Sequence, residues 1–149
     1  MKARILLETS LVTGAAAVLG SFGTDVKSRW YRHARKPSFQ PPPVAFPLVW
    51  TPLYVDIAAA GAAVIEKDAS FRAPLYANLA LNTAWTWLFF RAHRPTLATA
   101  ENILLAGSSI DLVRRAARVD RRAAFALTPY AGWTIFAAVL SGAFARRNR

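Results

Sequence analysis

The chain contains no cysteine, which removes disulfides, thiolate metal sites and cysteine nucleophiles in one step. Acids are scarce: eight Asp and Glu stand against 19 Lys and Arg, a formal charge of +11. Only two histidines are present, His33 and His93. They lie in separate basic stretches and read as solvated loop residues rather than as a pair. No GxSxG, HExxH or P-loop pattern occurs, so these hydrolase, metalloprotease and nucleotide-binding signatures are missing. We assign no catalytic residue and no metal ligand.

Charge is also missing locally. Ala73 to Phe90 and Ala123 to Ala145 carry no charged side chain, and each is long enough to cross ~30 Å of hydrocarbon as a helix. That decides between two explanations of the basic excess. A soluble nucleic-acid binder would set its cations along helix faces or strands, and no RNP, zinc-finger or helix-turn-helix pattern is found. Here the cations cluster between apolar segments, at Lys27 to Lys36 and Arg114 to Arg122, as in the loops of a membrane protein. With 149 residues, 54% of them hydrophobic, the chain reads as one integral, multi-pass, all-α domain in contact with lipid and not with nucleic acid.

Five transmembrane helices are expected, at about 5–24, 44–65, 73–90, 95–113 and 123–145, with a loop lid over 25–43. The start, MKARILLETSLVTGAAAVLG, has the basic beginning and apolar run of a signal peptide. Glu8 interrupts that run and no sharp cleavage site follows, so it reads as a retained first helix. Ala16 with Gly20, and Ala17 with Ser21, allow another backbone to approach closely. Pro47 falls in the first turn of the second helix, where proline is tolerated, whereas Pro52 lies deeper and is expected to kink it. Lys and Arg number nine on one side of this topology and ten on the other, which leaves the orientation unspecified.

The stretch Trp30 to Tyr54 organises the rest. It holds six of the nine prolines, two of the five tryptophans and two of the four tyrosines, too aromatic for a flexible linker. It reads as a lid or pocket wall formed by a loop and the helix it feeds. Trp50 and Tyr54, four apart, share a face of that helix. In the third helix Asn78, Asn82, Trp85 and Phe89 fall within about 60° of arc, and a stripe with two Asn should face the bundle interior or a cavity. Ala73, Ala77, Ala80 and Ala84 form roughly the opposite face, suited to close packing against another helix, including one from a second copy of the chain. In the fifth helix Trp133 lies well inside its segment, beside Tyr130. The loop and three helices can thus supply Trp30, Tyr31, Trp50, Tyr54, Trp85 and Trp133 to one cavity for a large, flat, mostly apolar ligand, with Arg29, Arg32 and Lys36 near acidic groups at its rim. A planar tetrapyrrole with propionates fits, as do other aromatic anions. Asp56 points about 160° away from Tyr54 and is expected to pair elsewhere. Glu101 and Asp111, near the ends of the fourth helix, are expected to snorkel.

The run WY, KPSF, PP and FPLVWTPLY resembles the signature loop and second helix of the TspO/MBR family, the tryptophan-rich sensory proteins whose mitochondrial relative is the translocator protein or peripheral benzodiazepine receptor. LYANLALNTAWTWLFF followed by HRP is similar to that family's third helix, and ALTPYAGWTIFAAVL to its fifth. The resemblance implies a five-helix bundle, commonly a homodimer, in a bacterial cell membrane. It implies no required cofactor and a pocket beneath the first loop for porphyrins, haem-related tetrapyrroles (protoporphyrin IX or haem) and benzodiazepine-type ligands. By position, Trp30 and Tyr31 match the family's loop aromatics, Trp50 and Tyr54 its second-helix wall, Asn82 and Trp85 its third-helix contacts, and Trp133 its fifth-helix aromatic. Ala137 matches a small position whose enlargement alters ligand binding in the family.

The function so implied is a membrane receptor or sensor that binds tetrapyrroles and regulates or transports them in stress or haem metabolism. The alternative is oxidative or light-dependent degradation of bound protoporphyrin IX. Phe39 stands where the family usually has a loop tryptophan, which weakens proposals that need an indole there. Ser141 replaces the Asn of a Leu-Asn pair. Phe144 occupies the Tyr position of the cholesterol-recognition pattern of animal relatives, so specific sterol binding is not expected.

Overall fold

A computed structural model describes residues 3–149; Lys2, counted above among the amino-terminal cations, lies outside them. The described residues are helical, with no strand among them. Five long helices are α1 (Ala3–Gly23), α3 (Ala45–Lys67), α4 (Arg72–Thr86), α5 (Pro95–Ala117) and α6 (Arg121–Arg147), and a short α2 (Arg29–His33) sits in the loop after α1. By length and composition α1, α3 and α6 are apolar enough to cross a membrane.

Local sequence accounts for most boundaries. Ser28 caps α2 by accepting the Tyr31 N–H at 3.1 Å, so the expected lid loop contains a helical turn. Asp68 ends α3 and starts a 3₁₀ turn, Ala69–Phe71, by accepting the Ser70 N–H at 3.0 Å. The basic link expected over 114–122 is much shorter: α5 runs on to Ala117 and α6 begins at Arg121, because Asp120 caps α6 by accepting the Arg122 and Ala123 N–H groups. The Lys67 ammonium at 3.1 Å and the cap N–H groups hold that carboxylate's pKa below its usual range, outweighing the opposing effect of desolvation. Pro129 lies inside α6, where it cannot bond the carbonyl of Phe125; the Thr128 hydroxyl donates to that carbonyl instead, at 2.7 Å.

The last turn of the third long helix departs from the expected α-helix. Trp87–Arg91 forms a π turn, closed by the Ala92 N–H on the Trp87 carbonyl at 2.8 Å. Phe89 and Phe90 are both buried as a result, and π turns of this kind recur at functional sites.

Close packing of α1 on α4 follows from its small residues. The Thr83 hydroxyl donates to the Ala16 carbonyl and the Trp87 indole N–H to the Leu19 carbonyl, at 3.2 and 3.0 Å. A Cβ at Gly23 would meet Thr86 Oγ1 at 2.5 Å and the Trp87 ring at 2.8 Å, so glycine is required there. On α3, Gly61 similarly receives Leu75. Thr9 donates to the Ala58 carbonyl at 2.8 Å, tying α1 to α3, and Arg72 at the start of α4 meets the Glu8 carboxylate at 2.9 Å. Ala73, Ala77 and Ala80 remain exposed on α4; Ala80 and Ala84 line a shallow groove with Val12, Ala15 and Leu19 of α1.

Candidate functional site

A cavity of about 500 Å³ opens between α1, α3, α4, α5 and α6 beneath the α1–α3 loop, within the usual size range of small-molecule sites. Seven of the eight sequence-predicted site residues line it: Tyr31, Trp50, Tyr54, Asn82, Trp85, Trp133 and Ala137. Trp30 does not. It stacks on His93 with ring centroids 4.6 Å apart, and packs against Phe89 and Phe144. Neighbours in a helical turn point about 100° apart, so α2 cannot aim both Trp30 and Tyr31 inward. His93 is the exposed loop residue expected, and it also packs on Trp30, at a backbone φ of 55°.

The walls are aromatic. Trp50 stacks on Tyr54 at 5.3 Å and meets Trp133 edge-on at 6.2 Å. Trp85 stacks on Phe89 at 5.0 Å. Tyr31 forms the roof, nearly parallel to Phe144 at 6.2 Å, with Gln40 donating to its hydroxyl at 2.8 Å. Burial pushes the Tyr31 hydroxyl above its ordinary pKa, with the Gln40 hydrogen bond opposing the shift. Lys36, expected at the ligand rim, instead donates to the Tyr31 carbonyl at 2.8 Å and lies over the Tyr31 ring. It holds the roof. Arg29 and Arg32 are exposed, and neither lines the cavity.

Beneath the aromatics runs a directed chain of hydrogen bonds. Tyr54 donates to Asn82 Oδ1 at 3.2 Å, and Asn82 to the Tyr130 hydroxyl at 3.1 Å. Tyr130 donates to Asn78 Oδ1 at 2.6 Å, Asn78 to Ser109 at 3.0 Å, and Ser109 to the Leu105 carbonyl at 2.9 Å. Four helices are joined this way. Donors that all point one way polarise one another, and every buried group in the run finds a partner. With its hydrogen committed to Asn82, the Tyr54 oxygen presents acceptor capacity to the cavity.

Other cavity groups are uncommitted. The indole N–H groups of Trp85 and Trp133 and the carbonyl oxygen of Asn102 are buried without a hydrogen-bond partner. Asn102 was not among the residues singled out from sequence, although a lone Asn in the apolar run of α5 is a signal of the same kind as Asn78. Its neighbour Glu101 departs from expectation: both carboxylate oxygens are buried and unpartnered instead of reaching water. Asp111 behaves as a surface acid, meeting Arg115 at 2.6 Å. Asp56 is half-buried and makes no ion pair among the described residues. Neither histidine lines the cavity. What this site offers is a flat apolar slot with a few directional polar groups.

Comparison with known proteins agrees with the sequence resemblance. The model of the TspO/MBR family matches residues 9–147. The chain is 31% identical over 134 residues to the tryptophan-rich protein TspO of Chlorobaculum tepidum, covering 85% of each chain. It is 32% identical over 141 residues to the protein of that name from Archaeoglobus fulgidus, covering 91% of this chain and 92% of the relative. To the translocator protein of Ovis aries it is 32% identical over 120 residues, covering 76% of this chain and 71% of the relative.

Proposed function

The chain belongs to the TspO/MBR family of membrane proteins, and from that premise we propose that it is a receptor or sensor that binds porphyrins and related tetrapyrroles and regulates or transports them. The observation that carries the reading is the convergence of Tyr31, Trp50, Tyr54, Trp85 and Trp133 on one cavity of about 500 Å³. Aromatic faces at these spacings suit a flat conjugated ligand, and offset or edge contacts add about 0.5–1.5 kcal/mol each beyond simple burial. The unpartnered indole N–H groups would then meet acceptors on the ligand, and Arg29 and Arg32 its carboxylates.

This reading takes α1, α3, α4, α5 and α6 as five membrane crossings, in a bacterial cell membrane. The uncharged run Ala73 to Phe90 carries α4 across through its π turn. We further assign the face of exposed Ala73, Ala77 and Ala80 and half-buried Ala84 to a homodimer contact, since small residues let helices approach closely in lipid.

Titration of the purified protein with protoporphyrin IX, followed by quenching of tryptophan fluorescence, tests the proposal. Saturable quenching that weakens in Trp50→Ala and Trp133→Ala supports it. Absence of saturation, or quenching unaltered in both variants, overturns it. The three indoles on the cavity wall also motivate a second reading, light-driven oxidation of the bound porphyrin by dioxygen. A discrete ring-opened product on illumination would favour that reading, and bleaching at the rate of free porphyrin would eliminate it.

A further inference from the structure

Asn102 lines the cavity from α5, along with Leu105 of its own helix and Thr134 and Ser141 of α6. The residue is 1% exposed. Its carbonyl oxygen has no partner, and its amide nitrogen makes no hydrogen bond among the described residues. The contrast with Asn78 and Asn82 is sharp, because each of those amides both donates and accepts. A buried polar group left unpaired costs about 1–3 kcal/mol, and leucine would fill such a wall position without that cost. The polarity therefore bears on what the cavity accepts. An apolar wall discriminates weakly between ligands of similar shape, whereas a buried hydrogen-bonding group strongly rejects a ligand that leaves it unpaired.

The chemistry of the amide narrows the ligand. A primary amide presents a carbonyl oxygen and a syn N–H side by side in one plane. Its complement is a group that offers a donor and an acceptor in the same arrangement, namely a cis-amide or lactam. A carboxylate offers two acceptors and no donor, and the alkyl periphery of a closed porphyrin offers neither. Rotating the Asn102 amide exchanges its two ends, and a lactam matches either orientation by turning over.

We propose that Asn102 is a specificity-determining residue that selects ligands bearing a lactam edge. The proposal rests on the reading of this cavity as a tetrapyrrole site. Within that class, a lactam edge belongs to ring-opened, linear tetrapyrroles rather than to closed macrocycles. Asn102 makes no catalytic contribution in this scheme; it pairs with the ligand and sets its preference.

The test compares biliverdin, which ends in lactam rings, with protoporphyrin IX, which has none; both carry propionates, so the rim contributes to both. Dissociation constants are measured for the full-length wild type, Asn102→Leu and Asn102→Ser. The expected result is a roughly tenfold or greater weakening of biliverdin in Asn102→Leu, with protoporphyrin IX within about twofold, the former corresponding to about 1.4 kcal/mol. Equal, partial weakening of both ligands in Asn102→Leu, or none of either, overturns the assignment and leaves Asn102 a structural or hydrated amide. Wild type that binds protoporphyrin IX but not biliverdin overturns the lactam preference alone. Wild type that binds neither overturns the cavity reading as well. If Asn102→Leu loses both ligands, the smaller, polar Asn102→Ser repeats the comparison, and parallel loss there also overturns the proposal.

Discussion

The Tyr130 hydroxyl donates to Asn78 Oδ1 at 2.6 Å, between residues 52 apart in sequence and on different helices. Tyr130 is 1% exposed and Asn78 fully buried. Tyr130→Phe keeps the ring but removes the hydroxyl that bridges the two Asn amides, leaving Asn78 Oδ1 and Asn82 Nδ2 without this partner. The expected loss is about 1–3 kcal/mol of stability, toward the lower end if relaxed neighbours or lipid-phase alternatives compensate. Thermal unfolding in detergent should show a clear fall in midpoint. Tyr54→Phe should cost less, because Tyr54 ends the chain with a longer 3.2 Å bond and leaves only Asn82 Oδ1 unpaired.

Ligand binding should separate Trp30 from the other tryptophans of the site. Trp133→Phe retains a ring beside Trp50 and Phe46 but removes the unpartnered N–H. If that N–H meets an acceptor on the ligand, affinity for protoporphyrin IX should fall about threefold to tenfold. Ala137→Leu should reduce binding further by filling the cavity it lines. Trp30→Ala should reduce the equilibrium affinity less than Trp133→Phe, since its ring does not line the cavity but packs on His93 and behind the wall residues Phe89 and Phe144. A loss in Trp30→Ala equal to that in Trp133→Phe would contradict this division.

Periodicity made the helical walls legible. Asn78, Asn82, Trp85 and Phe89 recur at helical spacing, so one face could be read as inward without knowing what it meets. Trp50 with Tyr54 was readable for the same reason. Trp30 was not, because its direction depends on a single turn capped by Ser28 within a proline-rich loop. Asn102 lies next to Glu101 in a helix that carries charges near both ends, and no aromatic stripe marks its inward face. The π turn at Trp87–Arg91 left no pattern distinct from an ordinary helix end. Contacts such as Arg35 with Asn148, 113 residues apart, have no local signal at all.

Acid should weaken the link between α3 and α6. Asp120 accepts from Lys67 and caps α6, and these interactions hold its carboxyl below the ordinary value of 3.8. A folded-state pKa below the unfolded one means that the stabilisation is present above that ordinary value and is lost as pH falls through the folded one. Wild type should therefore lose thermal stability between about pH 5 and pH 2 in part through this group. Asp120→Asn can still cap the helix but does not titrate, so its acid dependence should be shallower. Identical pH profiles would show that Asp120 contributes nothing measurable to the acid response.

The lid is fastened to the carboxyl end of α6 by one side chain. Asn148 Oδ1 accepts the Arg35 N–H and its Nδ2 donates to the Arg35 carbonyl, both at 2.8 Å, while the same nitrogen also donates to the Phe144 carbonyl at 2.8 Å. The pairing imitates one rung of a β-ladder and positions the segment that carries Tyr31 over the cavity. These bonds are largely exposed to competition, so their net worth is about 1 kcal/mol, equivalent to a fivefold to tenfold change in lid opening. Asn148→Ala should accelerate amide hydrogen exchange over residues 29–36 by that factor while leaving the interior of α4 protected. Ligand dissociation should quicken in parallel, with a smaller change in association, because the roof opens more often but the walls are intact. Unchanged exchange in the lid would mean that Lys36, Gln40 and the stacking of Tyr31 on Phe144 hold it without the tail.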